Sequence, residues 1–226
     1  MKPVLKHYLI TLTLLTALLG SVSYAADKFV FWPNAEYDPA IPSFEDVLGY
    51  RPGERITWHG DAVRYFEALA SASPKRITVH RYAKSWEGRD LIYVIVSSEQ
   101  NMARIEQIKT DMQRLADPRK TSRSDATQII KNQPAITWLS YGVHGNEISS
   151  TEAAMLTAYH LLASRGDERV TDIMSDTVVI IDPMQNPDGR DRFIHHYEIA
   201  EGLQPDPDRI SAEHNEPWPG GRTNHY

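Results

Sequence analysis

The stretch SYGVHGNEISSTEAAMLTAYHLL, Ser140 to Leu162, decides how the rest of the chain is interpreted. Residues 135–143 are a nearly continuous apolar run, which predicts a buried strand, and residues 148–162 are apolar almost all round, which predicts a buried helix. Residues 177–181 predict the next buried strand. Strand, helix and strand in this order indicate a right-handed crossover between parallel strands. We therefore expect an α/β fold with a mixed, largely parallel sheet flanked by helices.

His144 and Glu147 lie in the loop between the predicted strand and helix. Ser149 and Glu152 have the spacing of a capping box that would begin the helix directly after this loop. Ligands of open α/β sheets collect at the carboxyl ends of strands, and an imidazole nitrogen with a carboxylate makes two of the three protein ligands of a catalytic zinc. The alternative interpretation is a capping carboxylate beside a loop histidine.

The spacing of this pair is not specific by itself. His195 and Glu198 have the same spacing within residues 192–198, a segment with helical character. Solvated helix faces often carry such pairs, so we expect the second pair to be a surface feature. The position of His144 and Glu147 after a buried strand is what distinguishes them.

The amino terminus has the pattern of a secretory signal peptide over residues 1–25. Lys2 and Lys6 precede an apolar run, Tyr8 to Leu19, and small residues lead to Ala25. The run is shorter than the roughly 20 residues of a spanning helix, so we expect cleavage rather than a membrane anchor. An exported protein, periplasmic or extracellular and without stable membrane insertion, follows from this prediction.

Composition restricts the chemistry. The chain has 226 residues, 41% of them hydrophobic, which is enough for one core. It has no cysteine, which excludes disulfides, thiolate metal sites and a cysteine nucleophile. Removing Lys2 and Lys6 with the signal changes the formal charge from −6 to −8, because 22 basic residues then face 30 acidic ones. Nucleic acid is an unsuitable partner for such a surface.

The rest of the chain divides into an arm and a domain. Residues 26–58 contain four prolines and predict an irregular arm before a domain that begins at residue 59. Within that domain, residues 76–82 and 91–97 predict the two strands of a hairpin, joined by a polar turn that contains Gly88.

Three stretches together resemble the zinc carboxypeptidase family, the relatives of pancreatic carboxypeptidase A. They are Ser85-Trp86-Glu87-Gly88-Arg89-Asp90-Leu91, Gly142-Val143-His144-Gly145-Asn146-Glu147 and Asn186-Pro187-Asp188-Gly189, in the family's order. The resemblance implies that His144 and Glu147 are ligands of Zn²⁺ and that the substrate is a peptide. The residue types of the other two motifs indicate a structural role, since Gly88 and Gly189 stand where tight turns tolerate positive φ.

The chain also departs from the family pattern. Asn146 stands where the pancreatic enzymes commonly carry an arginine. Gly220 to Tyr226 resembles the segment that carries an arginine thought to polarise the scissile carbonyl, so Arg222 is the candidate for catalysis and substrate binding. The family's third zinc ligand, its carboxylate-binding pair and its general base would lie beyond Tyr226. We therefore expect residues 59–226 to be the amino-terminal part of a catalytic domain.

Two functional hypotheses from different classes remain open. The first is an exported zinc-dependent metallocarboxypeptidase, or a family relative that cleaves other amides such as cell-wall peptides or acyl-amino acids. The second is a catalytically incomplete binding module or remnant, in which a histidine recruited from His195, His196, His214 or His225 completes the metal site. The sequence indicates neither the oligomeric state nor the side-chain preference.

Overall fold

The computed structural model describes residues 29–215. They belong to two compact units, one that ends at Asn34 and one that begins at Ala35. Residues 29–34 form no helix or strand, and the candidate site lies in the second unit. The predicted signal peptide, residues 1–25, lies outside the described residues and stays a prediction.

Eight helices occur among the described residues. They are α1 (Phe44–Leu48), α2 (His59–Ala72), α3 (Glu99–Ala103), α4 (Ile105–Ala116), α5 (Arg123–Asn132), α6 (Ser149–Ala163), α7 (Glu168–Asp176) and α8 (Pro187–Ala200). In the part of the chain described here, none of these helices has the length and apolar character needed to cross a membrane.

The strands form a central sheet and a small separate pair. The strands are β1 (Glu36–Tyr37), β2 (Ile77–Lys84), β3 (Asp90–Val96), β4 (Ala135–Ser140), β5 (Ser164–Arg165) and β6 (Thr177–Asp182). The central sheet has the order β2-β3-β6-β4, and β1 pairs with β5.

The central sheet is mixed, as predicted, with β4 parallel to β6 on either side of helix α6 in the chain. The expectation that it is largely parallel is wrong for the described sheet, because two of its three pairings are antiparallel. The reason is that the β2–β3 hairpin joins the sheet through β3, which pairs antiparallel with β6. The α/β class is confirmed.

The hairpin itself is confirmed. Ile77 pairs with Val96 at its open end and Lys84 pairs with Asp90 at the turn. Gly88 lies in the turn with φ +84°, a left-handed conformation that glycine adopts without steric cost.

The core lies between one face of the sheet and helices α2 and α6. Its fully buried members come from both layers of the fold. They include Phe66, Val94, Val96, Met155 and Ile181. Phe44 of α1 is also part of this core, so the segment predicted as an irregular arm contains an ordered helix. Ser43 and Asp46 begin that helix with a reciprocal capping box.

Two helix starts differ from the predictions. Helix α6 has Ile148 at its N-cap and no side-chain cap hydrogen bond, so the Ser149–Glu152 capping box is wrong. The Glu152 carboxylate is buried and binds a distant arginine instead. Helix α8 begins at Pro187, which places Gly189 in its first turn rather than in a left-handed turn.

Candidate metal site

The loop that carries His144 is aligned with the loop after β6. Ser140 pairs with Asp182 in the parallel ladder, and the Tyr141 amide continues it by donating to the Asp182 carbonyl at 2.9 Å. The Asn186 amide then donates to the Gly142 carbonyl at 2.9 Å. The two loops therefore leave the carboxyl edge of the sheet together, which is where α/β folds hold ligands.

His144 and Glu147 come together at this edge. The Nδ1 atom of His144 lies 3.2 Å from Oε1 of Glu147, and the side chains are 34% and 59% exposed. The Glu147 amide donates to the His144 carbonyl at 3.2 Å, which closes a tight turn between the two residues. The pair is preformed and accessible to an ion from solution.

The separation of the two donor atoms suits a shared zinc ion. Tetrahedral zinc with ligand bonds of about 2.0–2.2 Å places neighbouring donor atoms about 3.3–3.6 Å apart, and the 3.2 Å separation lies close to the lower end of this range. Nitrogen and oxygen donors are both ligands that zinc accepts. His144 and Glu147 therefore fit two positions of one zinc site.

The described residues do not supply a third ligand. Among residues 29–215, no three histidine, aspartate or glutamate side chains form a group that could hold a metal ion. His196 and His214 make hydrogen bonds of 2.9 Å and 2.6 Å to the carbonyls of Ala212 and Asp206. His195 is exposed on α8. The remaining ligand candidate, His225, lies outside the described residues, as does Arg222, the candidate for catalysis and substrate binding.

The second histidine–glutamate pair does not behave like the first. Glu198 accepts a hydrogen bond of 3.1 Å from the indole nitrogen of Trp58. In the described part of the chain no ion pair joins His195 to Glu198, whereas His144 and Glu147 form one.

Two of the three sequence motifs meet at the Asp188 carboxylate. Its oxygens accept hydrogen bonds from Ser85 Oγ at 2.7 Å, from the Glu87 amide at 3.0 Å and from Arg89 Nη1 at 2.7 Å. Burial opposes the charged form, but these donors together hold the pKa of Asp188 below its ordinary value. Asp188 is therefore a buried carboxylate that stays ionised and ties the hairpin turn to the start of α8.

The remaining motif, residues 142–147, contacts the Asn186–Gly189 motif through the backbone of Gly145. A β-carbon on Gly145 would lie 2.0 Å from the Gly189 carbonyl carbon and 2.3 Å from the Arg190 amide nitrogen. The position of Gly145 therefore requires close backbone approach, which only glycine permits. A β-carbon on Gly189 would instead lie 2.6 Å from the side-chain amide nitrogen of Asn186. The three motifs are distant in the chain and contiguous in the fold.

Sequence reasoning missed a buried ion pair behind the loop. The Nη2 atom of Arg190 lies 2.7 Å and 2.8 Å from the two carboxylate oxygens of Glu152, and the arginine side chain is 2% exposed. The wrongly predicted capping box had singled out Glu152, but nothing in the sequence linked it to Arg190.

A second buried carboxylate lies at the carboxyl end of β6. Asp182 accepts a hydrogen bond of 3.0 Å from the Tyr82 hydroxyl, and the backbone amide of Met184 also favours its charged form. Burial raises the pKa of Asp182, and burial together with the Asp182 charge raises the pKa of Tyr82 to about 12. The two carboxylates near the candidate site thus have pKa values shifted in opposite directions.

A model of the zinc carboxypeptidase family matches residues 62–225. Among solved structures, carboxypeptidase A from Helicoverpa armigera is similar at 22% identity with a TM-score of 0.43, over 66% of this chain and 27% of its own. Thrombin activatable fibrinolysis inhibitor is similar at 15% identity with a TM-score of 0.44, over 70% of this chain and 30% of its own.

The present chain thus spans less than a third of the length of these two solved structures. No curated protein sequence matches it at a significant level.

Proposed function

This chain belongs to the zinc carboxypeptidase family, and we propose that it is an exported zinc-dependent hydrolase that removes carboxy-terminal residues from peptides. The observation that carries the proposal is the pairing of His144 Nδ1 with Glu147 Oε1 at 3.2 Å, on a loop at the carboxyl edge of the sheet. In the proposed site these two atoms bind Zn²⁺. The third ligand would be a residue outside 29–215.

The residue types suggest a role for each group in the proposed reaction. A bound zinc ion supplies Lewis acidity and lowers the pKa of a coordinated water toward neutrality. His144 and Glu147 hold and orient that ion at the mouth of the loop. Arg222 is the candidate donor to the oxygen of the scissile carbonyl, where a guanidinium would stabilise the developing negative charge.

A hydrolysis assay tests the proposal. The purified protein, including any sequence that follows Tyr226, should release the carboxy-terminal amino acid of a blocked peptide in the presence of zinc, and a chelator or His144→Ala should abolish the release. His195→Ala should not, because His195 lies outside the proposed site. Equal release by the wild type and His144→Ala would contradict the assignment.

The reaction within the family is a separate question from the metal site. The same assay with a cell-wall peptide and an acyl-amino acid as substrates separates carboxypeptidase activity from cleavage of other amides. Zinc-dependent hydrolysis of either compound, without release from the blocked peptide, would reassign the substrate.

One observation favours a second candidate, a metal-binding module without catalysis. Only two metal-ligand side chains converge at this edge among the described residues, and a zinc ion held by two protein atoms binds weakly. Zinc binding without hydrolysis of any of the three substrates would support this alternative.

Export is part of the proposal and has its own test. It rests on the charge and apolar pattern of residues 1–25. Expression in a bacterial host should yield a mature chain that begins at Ala26, recovered outside the cytoplasm. Mass spectrometry showing the intact amino terminus in the cytoplasmic fraction would contradict it.

A further inference from the structure

Arg190 is almost completely buried, and each of its three guanidinium nitrogens has a partner. It is 1% exposed. Besides the ion pair with Glu152, its Nε donates to the Thr57 carbonyl at 2.8 Å and its Nη1 donates to the Ile148 carbonyl at 3.0 Å. The Thr57 amide in turn donates to Glu152 Oε1 at 2.8 Å. A buried charge is tolerated in a protein interior when it is paired and hydrogen-bonded in this way.

The bond to Ile148 is the one that reaches the candidate metal site. Ile148 directly follows Glu147 and stands at the N-cap of α6, where no side chain caps the helix. The Glu147 carbonyl accepts a hydrogen bond of 2.8 Å from Ser150 Oγ. Two consecutive carbonyls at the end of the loop are therefore fixed, one by a local serine and the other by Arg190.

We infer that Arg190, supported by Glu152, is a positioning residue that sets the loop geometry presenting His144 and Glu147 to a metal ion. This inference rests on the proposed function for its metal, but the loop geometry can be measured without one. Groups that orient metal ligands from behind typically change metal affinity on the order of 10–100-fold when they are removed.

The chain contains a matched control for Arg190 at the other end of the same helix. Arg76 donates from Nη1 to the Leu162 carbonyl at 2.8 Å and from Nη2 to the Leu161 carbonyl at 3.0 Å. It therefore anchors the carboxyl end of α6 as Arg190 anchors its amino end. A substitution of Arg76 therefore shows what happens when α6 is loosened at the end that is far from the loop.

The experiment compares three variants of the chain with the wild type. Arg190→Lys keeps a charge for Glu152 but is too short to reach all its partners, and the double variant Arg190→Met/Glu152→Leu removes both buried charges so that folding is preserved. Arg76→Lys is the control. Hydrogen exchange of the amides of residues 144–148 is measured without metal, and the zinc dissociation constant is measured by competition with a chromophoric chelator.

Both Arg190 variants should raise exchange in residues 144–148 and raise the zinc dissociation constant on the order of tenfold, while Arg76→Lys changes neither. Unchanged loop exchange in both Arg190 variants would overturn the inference. An equal loss of affinity in Arg76→Lys would also overturn it, because the effect would then be general loosening of α6. Faster loop exchange in both Arg190 variants, together with a wild type that binds no zinc, would support the positioning role while contradicting the proposed function.

Discussion

The backbone of Gly145 packs directly on the backbone of Gly189, so that a β-carbon on Gly145 would lie 2.0 Å from the Gly189 carbonyl carbon. This contact joins the loop that carries His144 and Glu147 to the first turn of α8. It explains why the loop after β4 has glycine next to the candidate histidine. The requirement comes from close approach rather than from backbone dihedrals, since Gly145 is not among the described residues with positive φ.

Gly145→Ala should destabilise the protein by about 1–3 kcal/mol, because backbone atoms must move to admit the methyl group. The free energy of unfolding from urea titration measures this. Gly60→Ala is the control, since Gly60 lies in helix α2 with nothing within 4 Å of an added β-carbon. It should be neutral or stabilising by up to about 1 kcal/mol, because alanine is the better helix former. Equal stabilities for the two variants would contradict the contact.

Asp188 should make the free energy of unfolding depend on pH. Its lowered pKa means that the folded state binds the proton less tightly than the unfolded chain. The stabilisation is therefore complete above the unfolded pKa of about 4 and is lost as the pH falls through the lower folded value. Asp188→Asn should cost about 2 kcal/mol at pH 7, because hydrogen bonds to a charged group are lost. The cost should shrink below about pH 4, and a cost that is constant with pH would contradict this role.

Asp182 should show the opposite dependence. Its pKa is raised, chiefly by burial, so the folded state holds the proton more tightly than the unfolded chain. Its contribution to stability therefore falls as the pH rises from the unfolded value of about 4 through the higher folded value. Asp182→Asn, which keeps the shape and can still accept from Tyr82, should be more stable than the wild type at pH 8. The gain should disappear below pH 4, as followed by thermal unfolding across pH, and a loss at pH 8 would contradict the assignment.

The described histidines outside the loop should not contribute to metal binding. His195, His196 and His214 do not group with the candidate pair in the described structure. His195→Ala, His196→Ala and His214→Ala should each leave the zinc dissociation constant within about twofold of the wild type, measured by the chelator competition used for Arg190. A tenfold rise in any one of them would identify it as the third ligand.

The parts of the fold that the sequence predicted are those with strong local patterns. Residues 177–181 were correctly identified as a buried strand, and β4 and β6 are parallel neighbours. Residues 135–143 were correctly predicted to contain a strand, but the prediction that it is buried is wrong. In the described sheet β4 is an edge strand, and its Ile136 and Trp138 are 40% and 58% exposed. The hairpin followed from two β-rich runs around a glycine turn. The proportion of parallel pairing was overestimated because no local pattern tells which strand of a hairpin joins the sheet.

The candidate site was predicted only where its residues are close in the sequence. His144 and Glu147 are close in sequence, so their convergence required only a turn. The Arg190–Glu152 pair joins two helices and could not be read from spacing. Glu152 matched a capping pattern that the fold does not use, and its carboxylate instead accepts hydrogen bonds from Arg190 inside the fold.

The central claim is that His144 and Glu147 bind one zinc ion, and zinc stoichiometry and affinity of the chain from Ala26 to Tyr226 test it most directly. Calorimetric titration should give one equivalent in the wild type, with binding lost in His144→Ala and in Glu147→Ala and retained in His195→Ala. Binding that is indifferent to both loop mutations would contradict the claim.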